Sequence, residues 1–335
     1  MILVTGGTGL IGSHLLFHLA KNGERARANY RTRESLDKVA KVFGYYTDSP
    51  STLMDKIEWV QADITDIGQM QKLFEDIKKV YHCAALISFD PKDQKALEKI
   101  NVEGTANMVN LSLKHGVEKF CHLSSIAAIG PSLKDKEATE ENEWNDVNIS
   151  DYGLTKRDAE LEAWRGSQEG LSVVILNPGV VIGPGFWKSG SGSFFSYAAK
   201  GKKHFIPGGT GFVSVHDVVE AMVLTMESAI KNEQFVLVAQ NLTYGQFFQK
   251  IASGLGVEPP SKKISFFILE WLWRLDWLRS KLFGKRRRLT KVVARGLRHR
   301  EIYSSGKFKK TLDFKFGDLD KAILFCCSKF KAREQ

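Results

Sequence analysis

Cysteine is scarce: Cys83, Cys121, Cys326 and Cys327 are the four in 335 residues. None shows CxxC spacing or a neighbouring histidine set, which speaks against a metal site and against a disulfide framework. Cys83 and Cys121 stand inside apolar strand-like runs and read as small core residues, and no role falls to the vicinal pair. No apolar run reaches the 18 or so residues of a bilayer span. No leader peptide is expected, because Met1 is followed at once by core-type residues and then glycines, and the cytoplasm is the expected compartment. What is present is the composition of a soluble protein, 43% hydrophobic and 26% charged. The length suits one large α/β unit or a main unit carrying a smaller one.

Acidic residues are lacking in one stretch. Residues 262–335 hold 21 Lys+Arg against 7 Asp+Glu and the remainder 27 against 31, so the net +10 is a tail of +14 on a body of −4. A tail of this kind can meet an anionic ligand, acidic headgroups or nucleic acid. With no aromatic platform or reading helix in the segment, nucleic acid is not an expected partner.

Apolar runs at 1–5, 25–30, 57–61, 78–83, 118–124, 172–177 and 234–238 alternate with helical spacing at 12–22, 66–76, 95–115 and 152–169. The alternation predicts an α/β fold, a Rossmann-type doubly wound parallel sheet, whose near-continuous apolar strands are buried on both faces. The expected division is a dinucleotide-binding domain over 1–177, with 212–240 returning to it. A smaller C-terminal substrate-binding region would use 178–211 and 241–335. Lys-Ser-Gly-Ser-Gly-Ser at 188–193 reads as a loop.

Thr5-Gly6-Gly7-Thr8-Gly9-Leu10-Ile11-Gly12 follows the first strand and opens a helix. Gly6, Gly9 and Gly12 suit a tight turn that a pyrophosphate approaches closely, with Leu10 and Ile11 on the helix N-terminus that faces it. At the end of the second strand, where an acid would select NAD by its ribose hydroxyl, the chain reads Arg31-Thr32-Arg33. A guanidinium matches a 2′-phosphate, so NADP is expected over NAD, with Arg31 the main contact. Asp63-Ile64 closes the third strand, where a carboxylate can accept from the adenine amino group. Ala84-Ala85 follows the fourth, where small residues let the backbone lie against the cofactor.

Tyr152 and Lys156 are four residues apart and share one helix face. A free phenol titrates near about 10, too high for proton transfer at neutral pH, until a nearby cation such as Lys156 stabilises its phenolate. Ser125 stands at the carboxyl end of the fifth strand, where a hydroxyl can bond the substrate oxygen while Tyr152 moves the proton.

With these residues in this order, the sequence resembles the extended short-chain dehydrogenase/reductase (NAD-dependent epimerase/dehydratase) family. The resemblance covers most of the chain and is carried by the glycine turn, Asp63-Ile64, Ala84-Ala85, Asn101-Val102-Glu103-Gly104-Thr105, Ser124-Ser125, Tyr152 with Lys156, and Pro178 through Gly183-Pro184. It implies a Ser125, Tyr152, Lys156 triad in which Lys156 also bonds the nicotinamide ribose, Asn101 organises the site, and Pro178 to Val181 line the nicotinamide. It also implies a homodimer packed through the helices over 95–115 and 152–169.

Sugar-nucleotide epimerases of the family commonly carry a tyrosine before the glycine that follows the serine pair. This chain reads Ser124-Ser125-Ile126-Ala127-Ala128-Ile129-Gly130 and looks more like the dihydroflavonol-reductase and 3β-hydroxysteroid-dehydrogenase branch. Arg31 and the run from Gly208 to Val218 resemble that branch as well. The expected activity is NADP-dependent interconversion of a ketone or aldehyde and an alcohol on a hydrophobic small molecule. A nucleotide-sugar epimerase or dehydratase with tightly bound NAD is the alternative, and a non-catalytic NADP-binding or membrane-associated sensor the second.

Ile264 to Phe283 is strongly apolar, with Trp271, Trp273 and Trp277, and Gly284-Lys285-Arg286-Arg287-Arg288 follows. Glu270, Arg274, Asp276 and Arg279 exclude a membrane span. The expectation is a helix packed over the substrate cleft or at a dimer interface, and the alternative is peripheral contact of 264–288 with an anionic membrane surface.

Overall fold

The computed structural model describes residues 1–130, 137–144, 149–287 and 289–332. Its strands are β1 (Ile2–Thr5), β2 (Ala26–Tyr30), β3 (Ile57–Gln61), β4 (Lys79–His82), β5 (Lys119–Leu123), β6 (Val173–Pro178), β7 (Val180–Ile182), β8 (His204–Phe205), β9 (Gly209–Ser214), β10 (Glu233–Leu237), β11 (Gln240–Thr243) and β12 (Lys262–Lys263). Seven of them form one parallel sheet in the order β10-β6-β5-β4-β1-β2-β3. The order reverses between β1 and β4, the place where such sheets open a ligand crevice at their carboxyl ends.

Neighbouring residues of each central strand feed opposite layers, as the two-residue period of a strand requires. Leu3, Val80, Phe120, Val173 and Ile175 enter a core with Leu73, Phe74, Met108 and Ala163. Val4, Tyr81, Cys121, Val174 and Leu176 enter the other, with Leu15, Leu16, Leu19, Val218 and Met222. Every residue of β5 and β6 is buried, which is why those segments read as near-continuous apolar runs.

Downstream of β6 a small sheet, β11-β9-β7, is packed by helices Gly192–Ala199, Tyr244–Leu255 and Leu319–Ala332. Phe195, Phe212, Phe247 and Phe330 are fully buried there beside Cys326 and Cys327. Each aromatic contributes about 2–3 kcal/mol by leaving water, enough to make this a core in its own right. Burial pushes the Cys327 thiol up to about 11 and Cys326 higher still, so both stay protonated core side chains.

Three stretches differ from their sequence reading. The helix expected over 66–76 is α only for Ile67–Gln71 and tightens to a 3-10 turn at Lys72–Phe74 before Asp76 takes a positive φ of 58°. The helix expected over 95–115 has a π-helical segment, Glu98–Glu103, between α segments Gln94–Leu97 and Gly104–Lys114. Within 188–193, Gly192 and Ser193 are the first turn of a helix, because Phe195 and Ala198 just beyond them are drawn into the small core.

Candidate active site

The glycine turn leaves no room for side chains. Gly6 has φ +68°, and a Cβ on it would lie 2.6 Å from the Ala84 amide nitrogen; one on Gly12 would lie 2.2 Å from the Gly6 carbonyl oxygen. Gly9 donates its amide to that same carbonyl at 2.9 Å and caps helix Leu10–Lys21, whose first turn carries no acid. The helix therefore presents an unneutralised positive end over a flat backbone cradle, which fits a pyrophosphate. Leu10 packs beside Gly183, 3.3 Å from the position of a Cβ there, so the turn also touches the chain that leaves β7.

The remaining cofactor candidates lie along the same carboxyl edge. Arg31 is exposed just after β2, and its carbonyl accepts from Gln61 Nε2 at 3.0 Å. Asp63 uses Oδ1 to take the amide and hydroxyl of Thr65 at 2.9 and 2.8 Å, and Ile64 is buried against Gly104. Ala84 and Ala85 follow β4, with Ala84 against Gly6. Pro178 closes β6 and Val181 lies in β7, both buried.

A pairing of buried amides ties this edge to the catalytic helix. Asn101, in the π segment and 1% exposed, accepts from the Leu86 amide at 2.7 Å and donates to the Leu86 carbonyl at 3.0 Å and to Thr155 Oγ1 at 3.1 Å. Thr155 precedes Lys156 in helix Asp151–Gln168, which Ser150 caps through the Gly153 amide.

Tyr152 and Lys156 are both buried. Burial pushes the Tyr152 phenol up to about 12, and its hydrogen bond with the Ser125 hydroxyl pulls the other way. Ser125 itself caps the short turn Ile126–Ala128, which fixes it at the end of β5. Phe89 lies edge-on to Tyr152 with ring centres 5.9 Å apart. Lys156 is pushed down to about 8, chiefly by burial, with Glu160 opposing. Its Nζ donates to the Leu123 carbonyl at 2.9 Å and lies 3.5 Å from His122 Nε2. The lysine is thus held by the strand end, while burial and the Ser125 hydroxyl act on the phenol in opposite directions.

Below the pair is a polar layer that sequence reasoning did not single out. His82 and His122 are register partners on β4 and β5, with ring centres 5.5 Å apart. His82 joins Thr5 Oγ1 at 2.7 Å to Thr105 Oγ1 at 3.0 Å, and burial pushes it down to about 3. Glu160, one turn beyond Lys156 and fully buried, accepts from Asn177 Nδ2 at 2.5 Å and Gln234 Nε2 at 3.1 Å; burial raises its carboxyl. Asn177 also donates to the Ser125 carbonyl at 2.9 Å. The sequence signal for this layer is a single polar residue inside each of several apolar strands, which a core histidine or asparagine gives equally well.

Gly12→Ala is expected to weaken NADPH binding by roughly tenfold or more, read by nucleotide fluorescence titration. Gly44→Ala, where the added carbon meets only ordinary contacts, is the control. Unchanged binding in Gly12→Ala would remove the turn from the cofactor site.

Residues 2–238 match the model of the NAD dependent epimerase/dehydratase family, and the chain belongs to that family. It is 28% identical over 290 residues to sterol demethylase protein B of Methylococcus capsulatus, covering 85% of this chain and 84% of that protein. To a putative dihydroflavonol 4-reductase of Synechocystis it is 27% identical, covering 81% and 77%. Among solved structures, that of gox2253 superimposes with a TM-score of 0.82 at 26% identity over 99% of this chain and 98% of the other. The UDP-glucose 4-epimerase of Thermotoga maritima gives 0.78 at 22% identity over 100% and 99%, a likeness of fold. The chain is an enzyme of the extended short-chain dehydrogenase/reductase type, with similarity to its dihydroflavonol-reductase and 3β-hydroxysteroid-dehydrogenase-like branch. It uses a nicotinamide dinucleotide, and the cradle above has the shape that this group requires. No metal-ligating cluster occurs among the described residues.

Proposed function

We propose that this enzyme is an NADP-linked reductase that converts a ketone or aldehyde on an apolar small molecule into the alcohol, and that Tyr152 is its acid/base. The observation that carries the reading is a buried phenol, kept protonated by burial, hydrogen-bonded to Ser125 and flanked by Phe89. A protonated phenol is a donor, so Tyr152 would give its proton to the carbonyl oxygen while the Ser125 hydroxyl bonds the same oxygen. The dinucleotide, when bound, supplies the hydride. Lys156 would hold the ribose and help restore the Tyr152 proton, Asn101 would keep the Leu86 backbone in place, and Pro178 to Val181 would line the nicotinamide. Gly6, Gly9, Leu10, Ile11 and Gly12 would seat the pyrophosphate, with Asp63, Ile64, Ala84 and Ala85 about the adenosine and the backbone beside it.

The substrate would enter between this edge and the later region over 178–211 and 241–335. Exposed Ile87 and Phe89 at that edge suit an apolar molecule, and relatives named for sterol and dihydroflavonol chemistry support the same reading.

The NADP preference rests on Arg31, which is exposed at the end of β2 with no acid beside it before Glu34. A charge-assisted bond to a 2′-phosphate contributes about 1.5–3 kcal/mol. Arg31→Ala should therefore raise the Kd for NADPH by roughly ten- to a hundredfold and leave NADH binding unchanged. Parallel titrations with the two nucleotides, followed by a panel of aromatic and sterol carbonyls, test cofactor and branch together. Purified protein that retains NAD and epimerises a UDP- or GDP-sugar without consuming NADPH would overturn the proposal.

A further inference from the structure

Helix Phe266–Phe283 turns Asp276 and Arg279 toward the protein and its hydrocarbon toward solvent, with Arg274 and Lys281 exposed beside it. Of its 18 residues only Leu269 and Ser280 are buried. Phe267, Trp271, Leu275, Leu278 and Leu282 are 72%, 54%, 56%, 43% and 64% exposed, and their spacing of three and four places them on one face. A continuous apolar face is a different thing from scattered surface leucines and marks an interaction site. The sequence expectation is a helix packed over the cleft or at a dimer interface; among the described residues these side chains are left exposed.

Both acids near the face are already neutralised. Glu270 pairs with Arg274 at 2.7 Å and with Arg298. Asp276 takes Arg279 at 2.6 Å, the Leu289 amide at 3.2 Å and Arg287 at 3.7 Å. Residues 261–300 hold 13 Lys+Arg and only these two acids, so the fringe, with exposed Lys281, Lys285, Lys291 and Arg295, is strongly cationic. Arg288 lies outside the described residues.

Apolar face and cationic fringe together define the partner. Symmetric pairing with a second copy would press two such fringes against each other, and a nucleic acid would leave the apolar face without a match. A bilayer with acidic headgroups satisfies both, taking the side chains at the acyl boundary and the lysines at the phosphates. No helix among the described residues is long and apolar enough to cross a membrane. We propose that helix Phe266–Phe283 lies in the interface of an anionic phospholipid membrane.

The dock is tied to the active-site loop. Lys92 donates to the Gly284 carbonyl at 3.2 Å, Arg286 pairs with Asp93 at 3.1 Å, and the Arg287 amide donates to Asp90 at 3.0 Å. Asp90 follows Phe89, the ring against Tyr152. Docking would therefore hold the segment from Ile87 to Asp93 close to lipid.

Vesicle binding is independent of the reductase reading, so the two can fail separately. The test is co-sedimentation of the full chain with vesicles of phosphatidylcholine, alone or mixed with phosphatidylglycerol, with tryptophan emission recorded in parallel. The expected result is binding at least about tenfold tighter to the anionic vesicles with a blue shift from Trp271 and Trp277. Leu275→Glu, and separately the pair Lys285→Glu with Lys291→Glu, should each weaken it by about tenfold or more. Leu324→Glu, exposed on helix Leu319–Ala332, should bind as the parent does, and circular dichroism checks that each variant is folded. Absence of binding to anionic vesicles, or full binding by folded Leu275→Glu, would overturn the proposal. So would a dimer in sedimentation that Leu275→Glu splits, since the face would then belong to a second copy.

Discussion

Tyr152→Phe should lower kcat roughly 10²- to 10⁴-fold, the range that removal of a positioned general acid produces, while NADPH binding stays within about twofold of the parent. The two readouts separate because the hydroxyl is the only group removed. Phe keeps the buried ring volume and its edge contact with Phe89, and the glycine cradle is untouched. Direction adds a second check. A phenol held up at about 12 stays protonated through neutral pH, so a proton is present for carbonyl reduction while the phenolate that alcohol oxidation needs is scarce, and oxidation should gain with rising pH more steeply than reduction. Steady-state rates in both directions from pH 6 to about 10 measure this, and unchanged turnover in the variant would remove Tyr152 from the chemistry.

The fold should be acid-labile well above the carboxylate range. His14 and His82 are buried and pushed from 6.5 down to about 3, chiefly by burial. Since the folded value lies below the unfolded one, the unfolded chain takes up protons first as pH falls. The stability they confer is whole above 6.5 and is lost progressively down to about 3. At pH 5 each ring costs about 2 kcal/mol, about 4 for the pair, against a typical total of about 5–15. His122, also pushed well down by burial, acts in the same direction. Glu160, raised by burial, opposes them only as the carboxyl range is approached. Urea midpoints at pH 7.5 and 5, chosen as about one unit above and about one and a half below the unperturbed histidine value, should differ clearly. Equal midpoints would mean that these rings accept protons in the folded state.

How much of this could be read from the sequence follows from how local each cause is. The seven sheet strands lay within one or two residues of their expected ends, most plainly at the centre of the sheet, where β5 and β6 are buried throughout. Ser125, Tyr152 and Lys156 were legible as a spacing, and the structure gathers them at the end of β5. Glu160 was not, since on a helix with Glu162 and Arg165 it looks like another surface charge. Its partners Asn177 and Gln234 come from β6 and β10, 17 and 74 residues away. The Asp90–Arg287 bond, 197 residues apart, leaves no trace in local pattern either. The apolar helix was visible as composition, but which side faced outward depended on where Arg287 and Arg298 fold back.

Asn101 answers both backbone groups of Leu86 with one side chain, much as the next strand of a sheet would. What it anchors is the root of a loop, and the far side of that loop is held separately, by Asp90 and Asp93, so that Ile87 and Phe89 are presented between two fixed points while remaining exposed. A lineage carrying this clamp can exchange Ile87, which is exposed, without disturbing the helix that holds the proton donor, whereas Phe89 stays tied to the Tyr152 ring.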